Sequence, residues 1–261
     1  YYKKFRPTKV VIAFDRTSWR KRYTASDECI SKRPYKGKRR IDMTPAQQEK
    51  YRVFLQHCAD FEQLVSQYTT MTVLAGEWLE ADDLIACVCQ QYSSNDRDII
   101  VLSADSDLWQ LTQHPNVKVM SPASDTFQSL DEYNNDPLYY LFSKCIRGDP
   151  TDNIMSAYPR VRQTRIEKAF KDPYERTELM KEQWEMDGVS VTVEDVFREN
   201  QILIALDKQP DDIRRAMLEA TTTAMTSTHK FSMLQMLKFL GKFKLQRIID
   251  GIDNYVDLLG R

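Results

Sequence analysis

Acidic residues recur just beyond short β-branched runs, and this placement constrains the fold more than any other feature of the chain. Val10–Phe14 is a continuous apolar run that reads as a buried strand, and Asp15 follows it directly. Met71–Leu74 is a second run, and Glu80, Asp82 and Asp83 stand at the mouth of a helix expected over Ala81–Tyr92. Asp98–Leu102 is a third, followed by Asp105 and Asp107, and Asn116–Met120 is a fourth. Strands alternating with helices predict an α/β fold with a central, mostly parallel sheet flanked by helices. Ligand sites of such sheets lie beyond the carboxyl ends of the strands. Three strands therefore deliver six acids to one edge, and Gly148-Asp149-Pro150-Thr151-Asp152-Asn153 adds two more after a helix.

Eight converging carboxylates repel one another. At an effective dielectric of 20, one pair about 4 Å apart costs roughly 4 kcal/mol. Bound cations would make the cluster tolerable, and an all-oxygen donor set selects Mg²⁺ or Mn²⁺ over zinc. Each acid also has a plain structural account. Acids in the first turn of a helix offset its dipole. Asp105 can N-cap a short helix through Leu111. Asp149 and Asp152 can form turns. Asp105-Ser106-Asp107 is no EF-hand, since the Gly and Glu of that loop are missing. Recurrence at successive strand ends is what favours a metal cluster.

The remaining pattern is helical and locally basic. Residues 16–40 hold ten Lys/Arg against two acids, with Trp19, Tyr23 and Tyr35 interleaved. Thr44-Pro45 supplies a cap and a first-turn proline for a helix to about Tyr68. After Pro137 every segment reads as helix: 137–147, 162–171, 174–186, 192–206, 210–220 and 229–250, with a mobile insertion expected at Asp187-Gly188. The division is an α/β core over 1–147, including the basic segment, and a helical region over 148–261.

Whole function classes drop out. Lys+Arg of 37 against Asp+Glu of 38 leaves a net charge of −1, so a nucleic-acid site must come from local segregation of charge. The 7 glycines compose neither a Rossmann fingerprint nor a P-loop. The 5 cysteines are irregular, without C-x-x-C, which is the usage of a reduced cytoplasmic protein. The 3 histidines make no H-E-x-x-H, and no apolar run approaches the roughly 20 residues that span a bilayer.

The acidic motifs resemble those of the 5′-nuclease (flap endonuclease) family. Val11–Asp15, then Ser18-Trp19-Arg20 and Pro34–Arg39, resemble its first half. Glu80-Ala81-Asp82-Asp83 resembles its E-A-D-D, Ser103-Ala104-Asp105-Ser106-Asp107-Leu108 its S-x-D-x-D-[LF], and Gly148–Ile154 its G-D-x-x-D-N-[IV]. The likeness runs from about residue 9 to 155. Within the family, His114–Lys118, Ser121-Pro122 and, past that range, Glu199–Asp207 are similar to the phage ribonuclease H branch. The family's first metal-binding Asp lies at the end of a strand that would precede Asp15, so the resemblance implies residues N-terminal to Tyr1. The family's Gly-rich helix–turn–helix is matched here by a stretch without glycine, Met155–Arg165, which puts its K⁺ site in doubt.

The resemblance implies a PIN-like nuclease core and metal-dependent hydrolysis of phosphodiesters, removing RNA primers and 5′ flaps in DNA replication. Two Mg²⁺ or Mn²⁺ ions are implied. Asp15, Glu80 and Asp82 hold the first, Asp105 lies between, and Asp107, Asp149 and Asp152 hold the second, with Asp83 orienting a ligand or a metal water. Lys36 and Arg39 match its catalytic cations. Residues 16–40 become a mobile arch that admits a 5′ strand, with Arg20, Lys21, Arg22, Arg33, Tyr35 and Lys38 on the nucleic acid. Arg160, Arg162, Arg165 and Lys168 would meet duplex phosphates, with Lys238, Lys242 and Lys244 as the alternative surface. The implied partners are flapped or 5′-ended DNA, RNA–DNA hybrids, a single-stranded-DNA-binding protein and a sliding clamp, for a monomer in the host-cell cytoplasm and off the membrane. Rival readings are a non-cutting DNA-binding protein on the same fold, a PIN-type RNA nuclease, and a nuclease domain of a polymerase.

Overall fold

A computed structural model describes residues 1–39, 42–93 and 96–260. After a short helix α1 (Tyr2–Phe5), β1 (Val11–Ala13) pairs in parallel with β2 (Thr72–Leu74), Val11 opposite Thr72 and Ala13 opposite Leu74. β3 (Ile99–Leu102) pairs in parallel with β4 (Val117–Ser121), and β5 (Thr126–Phe127) adds antiparallel. The expected parallel strands are present, but among the described residues they form two sheets, not one continuous sheet.

Helices join the strands as the α/β pattern requires. Between β1 and β2 run α2 (Trp19–Ala25) and α3 (Pro45–Tyr68), the latter started by a Thr44–Gln47 capping box with Pro45 in its first turn. Between β2 and β3 runs α4 (Ala81–Tyr92), and a 3₁₀ helix, Ser106–Gln113, joins β3 to β4. One helix ties both sheets together. Leu84 and Cys87 of α4 pack with Leu74 and Trp19, while Ala86 and Cys89 pack with Val101, Leu108 and Val119. Leu84 is wholly buried; its truncation to Ala would cost about 2–5 kcal/mol.

The C-terminal region departs from the all-helical expectation. α5 (Pro137–Arg147), α6 (Gln163–Lys171) and α7 (Pro173–Lys181) are followed by a hairpin of β6 (Gln183–Met186) and β7 (Val189–Thr192). Asp187 and Gly188 both have positive φ, 49° and 86°, so the expected mobile insertion is the tight turn that Asp-Gly favours between strands. α8 (Val193–Ile204) and α9 (Asp211–Thr226) follow. The expected helix 229–250 is broken into α10 (Met233–Lys242) and α11 (Gln246–Asp250), with Lys244 left-handed between them, and α12 (Asp253–Leu259) returns to the start of β2, where Thr70 N–H donates to the Leu259 carbonyl at 3.0 Å. Tyr139, Phe142 and Ile146 of α5 share a core with Ile166, Leu179 and Val196, and this packing fixes the loop that follows α5. Among the described residues no helix is long and apolar enough to cross a membrane.

Candidate active site

Six of the eight predicted acids meet in one cavity of about 220 Å³, lined by Asp15, Asp82, Asp105, Asp107, Asp149 and Asp152 together with Lys36 and Arg39. Local structure aims each one. Asp15 leaves the end of β1 and accepts the Ala81 N–H at 2.8 Å, joining that strand to the first turn of α4, which carries Asp82. Asp105 caps the 3₁₀ helix, accepting the Asp107 N–H at 2.9 Å, so the plain capping role and the cavity position coexist. Gly148 has φ 69°, and a Cβ there would lie 2.3 Å from the Met155 carbonyl oxygen, so only glycine permits the turn. Asp149 then accepts the Thr151 N–H at 2.8 Å and exchanges backbone hydrogen bonds with Ile154, closing the loop that presents Asp152.

Two lysines and an arginine reach into the acids. Lys36, left-handed at φ 56°, donates its N–H to the Asp152 carbonyl at 2.8 Å. Its Nζ binds the Glu80 carboxylate and lies 3.8 Å from that of Asp152, which Arg39 also binds. Burial alone would lower the Lys36 pKa, but Glu80 and Asp152 hold the ammonium above its usual value. Lys144, in the last turn of α5, binds Asp107 and lies 3.2 Å from Asp149. Sequence reasoning missed it, because a lysine at a helix C-terminus reads as an ordinary complement to the dipole. The two carboxylates respond differently. Burial raises Asp107 despite Lys144, whereas burial of Asp149 is outweighed by Thr151 and Lys144, which hold it low.

Glu80 and Asp83 lie behind this cavity and do not line it. Asp83 is fully buried; its carboxylate accepts from Arg20 Nη2 at 2.9 Å, Trp19 Nε1 at 3.1 Å and Gln209 Nε2 at 3.3 Å. Glu80 accepts from Arg20 at 2.9 Å and from Ser18 and Lys36. Burial would raise its pKa, but Arg20 and Lys36 keep it low. Asp83 is therefore a buried counter-ion of Arg20, and through Arg20 it is tied to Glu80, the acid that it stands behind.

Asp82 differs from these paired acids. Among the described residues no hydrogen bond or ion pair holds its carboxylate, and burial followed by the charges of Asp105, Asp107, Glu80 and Asp15 pushes its pKa up to about 8. An oxygen-only cluster of this kind fits a hard divalent cation. No group of three acidic, His or Cys side chains among the described residues already forms a set that could hold a metal. The chain's own ammonium groups hold Glu80, Asp107 and Asp149 instead.

The basic segment is only partly available to a ligand. Arg20 is 3% exposed and spent on Asp83, Glu80 and the Leu203 carbonyl, so the expected nucleic-acid contact is corrected to a core ion pair. Tyr35 is buried as well; its hydroxyl donates to Asp152 at 2.8 Å, and burial pushes its pKa far up, so it offers no free stacking face. Within 26–31, where the arch is expected to be mobile, Cys29 is buried, and the Ile30 and Ser31 N–H groups donate to the buried Glu199 carboxylate. Lys21, Arg22 and Lys38 are exposed, while Arg33 pairs with Asp187 at 3.1 Å. Arg40 lies outside the described residues. Arg160 and Arg162 are exposed, but Arg165 pairs with Glu182 and Lys168 with Glu175. Of the alternative surface, Lys242 pairs with Asp60 at 2.7 Å.

Fold and cavity together define a chain of the 5′-nuclease kind. A profile of the "5'-3' exonuclease, N-terminal resolvase-like domain" matches residues 1–138, and the chain belongs to that family. It is 29% identical over 155 residues to ribonuclease H of Enterobacteria phage T4, covering 56% of this chain and 49% of the relative. It is 30% identical over 92 residues to DNA polymerase I of Mycobacterium leprae, covering 32% of this chain and 10% of that one. The chain thus spans about half the length of the first curated relative and about a tenth of the second. Its fold is similar to the T5 D15 protein co-crystallised with metal ions, with TM-score 0.62 and 17% identity over 85% of this chain and 86% of that one. It is equally similar, at TM-score 0.62 and 16% identity over 86% of this chain and 85% of that one, to the T5 D15 flap endonuclease in a complex with DNA and metal ions.

Proposed function

We propose that the chain is a divalent-metal-dependent, structure-specific 5′→3′ nuclease acting on 5′ flaps and RNA primers. The observation that carries this reading is a cavity in which six carboxylates face Lys36 and Arg39 at the carboxyl edge of the strands. Family membership and the metal and DNA complexes of the fold's neighbours support it. Two Mg²⁺ or Mn²⁺ ions would supply a lowered pKa for the attacking water and stabilise the leaving oxygen. Asp15, Asp82 and Asp105 would hold one, joined by Glu80 on release from Lys36, and Asp107, Asp149 and Asp152 the other. Lys36 stays protonated beside its carboxylates, so it acts as a charge donor to the scissile phosphate and not as a base. Arg39, held at the exposed rim by Asp152, adds a second fork of donors. Residues 1–147 form the cutting core, and residues 148–261, with Arg160 and Arg162 foremost, take the duplex. The chain acts as a monomer in replication, with a sliding clamp and a single-stranded-DNA-binding protein as companions.

The test is cleavage of 5′-flap, nicked, gapped and RNA–DNA substrates with Mg²⁺, Mn²⁺ or chelator. Cleavage from the 5′ side that needs the ion is expected. Binding without cleavage in Mg²⁺ would instead identify a non-cutting DNA-binding protein.

A further inference from the structure

The acidic cavity has a neighbour at the same edge. The segment after β1 and the turn after β2 flank an open depression of about 370 Å³, lined by residues that include Arg16, Thr17, Gly76, Glu77 and Trp78. The chain itself fixes their adjacency: Asp15 lines the acidic cavity and Arg16 lines this one.

Trp78 is held where tryptophan is poorly suited. Leu79 N–H donates to the Gly76 carbonyl at 3.1 Å, closing a four-residue turn whose third residue, Trp78, has φ 62°. That position calls for glycine or asparagine, and a bulky residue there is an outlier. The Trp78 carbonyl accepts the Trp19 N–H at 2.9 Å, which pins the turn to α2. A Cβ at Gly76 would lie 2.6 Å from the tip of the Leu79 side chain, which would have to shift to admit it. Part of the Trp78 side chain packs on the core around Trp19 and Leu79, and the half-exposed remainder stands beside the candidate active site, where strained backbone tends to be kept for use.

The surrounding chemistry narrows the ligand. The Arg22 guanidinium lies 4.6 Å from the centre of the indole ring. Arg16 is already paired with Glu62, and Glu77 accepts the Trp78 Nε1–H at 3.1 Å. The charges are balanced locally, so neither a free metal ion nor an isolated phosphate is favoured. A flat ring with a polar edge fits, because the indole and guanidinium planes both stack and Thr17 and Glu77 offer hydrogen bonds at the rim.

We propose that this concavity is a subsite for one unpaired nucleobase of the strand being processed, stacked at the Trp78–Arg22 pair beside the acidic cavity. This rests on the nuclease reading and adds to it a place for the base next to the reacting phosphate. Stacking tolerates any base and either sugar, which suits both RNA primers and DNA flaps.

The test uses a 5′-flap DNA with 2-aminopurine as the unpaired base nearest the junction, and a flapless duplex as control. Affinity and fluorescence are measured in Ca²⁺ with the full chain, Trp78→Phe, Trp78→Leu and Trp78→Gly. The parent and Trp78→Phe should quench the probe. Trp78→Leu and Trp78→Gly should not, and should bind the flap about tenfold more weakly with duplex binding unchanged. Glycine relieves the turn and leucine does not, so a loss shared by both isolates stacking from turn shape. Unchanged quenching and affinity in Trp78→Leu, with DNA bound by the parent, would overturn the subsite and leave the nuclease reading standing. A parent that binds neither flap nor duplex would overturn both.

Discussion

The carboxylates at the strand ends fall into two groups that the protein treats in opposite ways. Glu80, Asp83, Asp107, Asp149 and Asp152 each have a cationic partner from Arg20, Lys36, Arg39 or Lys144. Asp15, Asp82 and Asp105 have none among the described residues; Asp15 and Asp105 accept backbone N–H groups, while Asp82 has neither, and its carboxyl is pushed up to about 8 by burial and by its acidic neighbours. Paired acids hold their positions with the chain's own charges. Asp82 is instead a local excess of negative potential, which only an external cation or a proton relieves. The difference separates scaffold from binding capacity within a single motif: Asp82 and Asp83 are adjacent in sequence, yet one faces the cavity and the other is a buried counter-ion.

The contrast predicts opposite costs for the two groups. Asp82→Asn should lower Mg²⁺-dependent flap cleavage by roughly a thousandfold, the worth of several kcal/mol of lost charge stabilisation. It should also raise the melting temperature of the metal-free protein, and a fall would break the comparison. On the paired side, Arg20→Ala strands Asp83 and Glu80 in the interior, and denaturant unfolding should register a loss of about 3–5 kcal/mol. A loss near zero would mean that this ion pair does not support the fold. Lys36→Ala should slow single-turnover cleavage by about a hundredfold while changing flap affinity much less. An effect confined to affinity would reduce Lys36 to general electrostatic attraction. The smallest effect concerns the duplex surface. Because Arg165 is already paired with Glu182, Arg162→Ala/Arg165→Ala should flatten the slope of log K against log salt by about 0.9, the worth of one phosphate contact and not two. An unchanged slope would move the duplex elsewhere, most simply toward Lys238 and Lys244.

Much of this organisation was legible in the sequence because it rests on local rules. Apolar β-branched runs give β1 to β4, Thr44-Pro45 starts α3, and six of the eight acids expected together line one cavity. What was not legible depends on tertiary pairing. The basic composition of 16–40 does not reveal that Arg20 and Tyr35 point inward, because their partners Asp83, Leu203 and Asp152 come from distant segments. Lys144 is hidden differently: at a helix C-terminus it reads as a complement to the dipole, and only the fold brings Asp107 to it. The hairpin 183–192 was hidden by a helical period through Met186, although Asp187-Gly188 carried a hairpin-turn signal that should have outweighed it.

The most direct test of the paired–unpaired distinction is thermal stability against pH, with and without Mg²⁺, for the parent and Asp82→Asn. Asp82 is raised in the folded chain from the ordinary 3.8 to about 8. The folded state therefore keeps a proton that the unfolded state loses over that range. Metal-free stability from this group is fully present below about pH 4 and is lost as pH climbs toward 8. The account predicts that the parent loses stability over this window relative to Asp82→Asn, and that Mg²⁺ restores it in the parent alone. Parallel curves for the two proteins, unmoved by Mg²⁺, would contradict it.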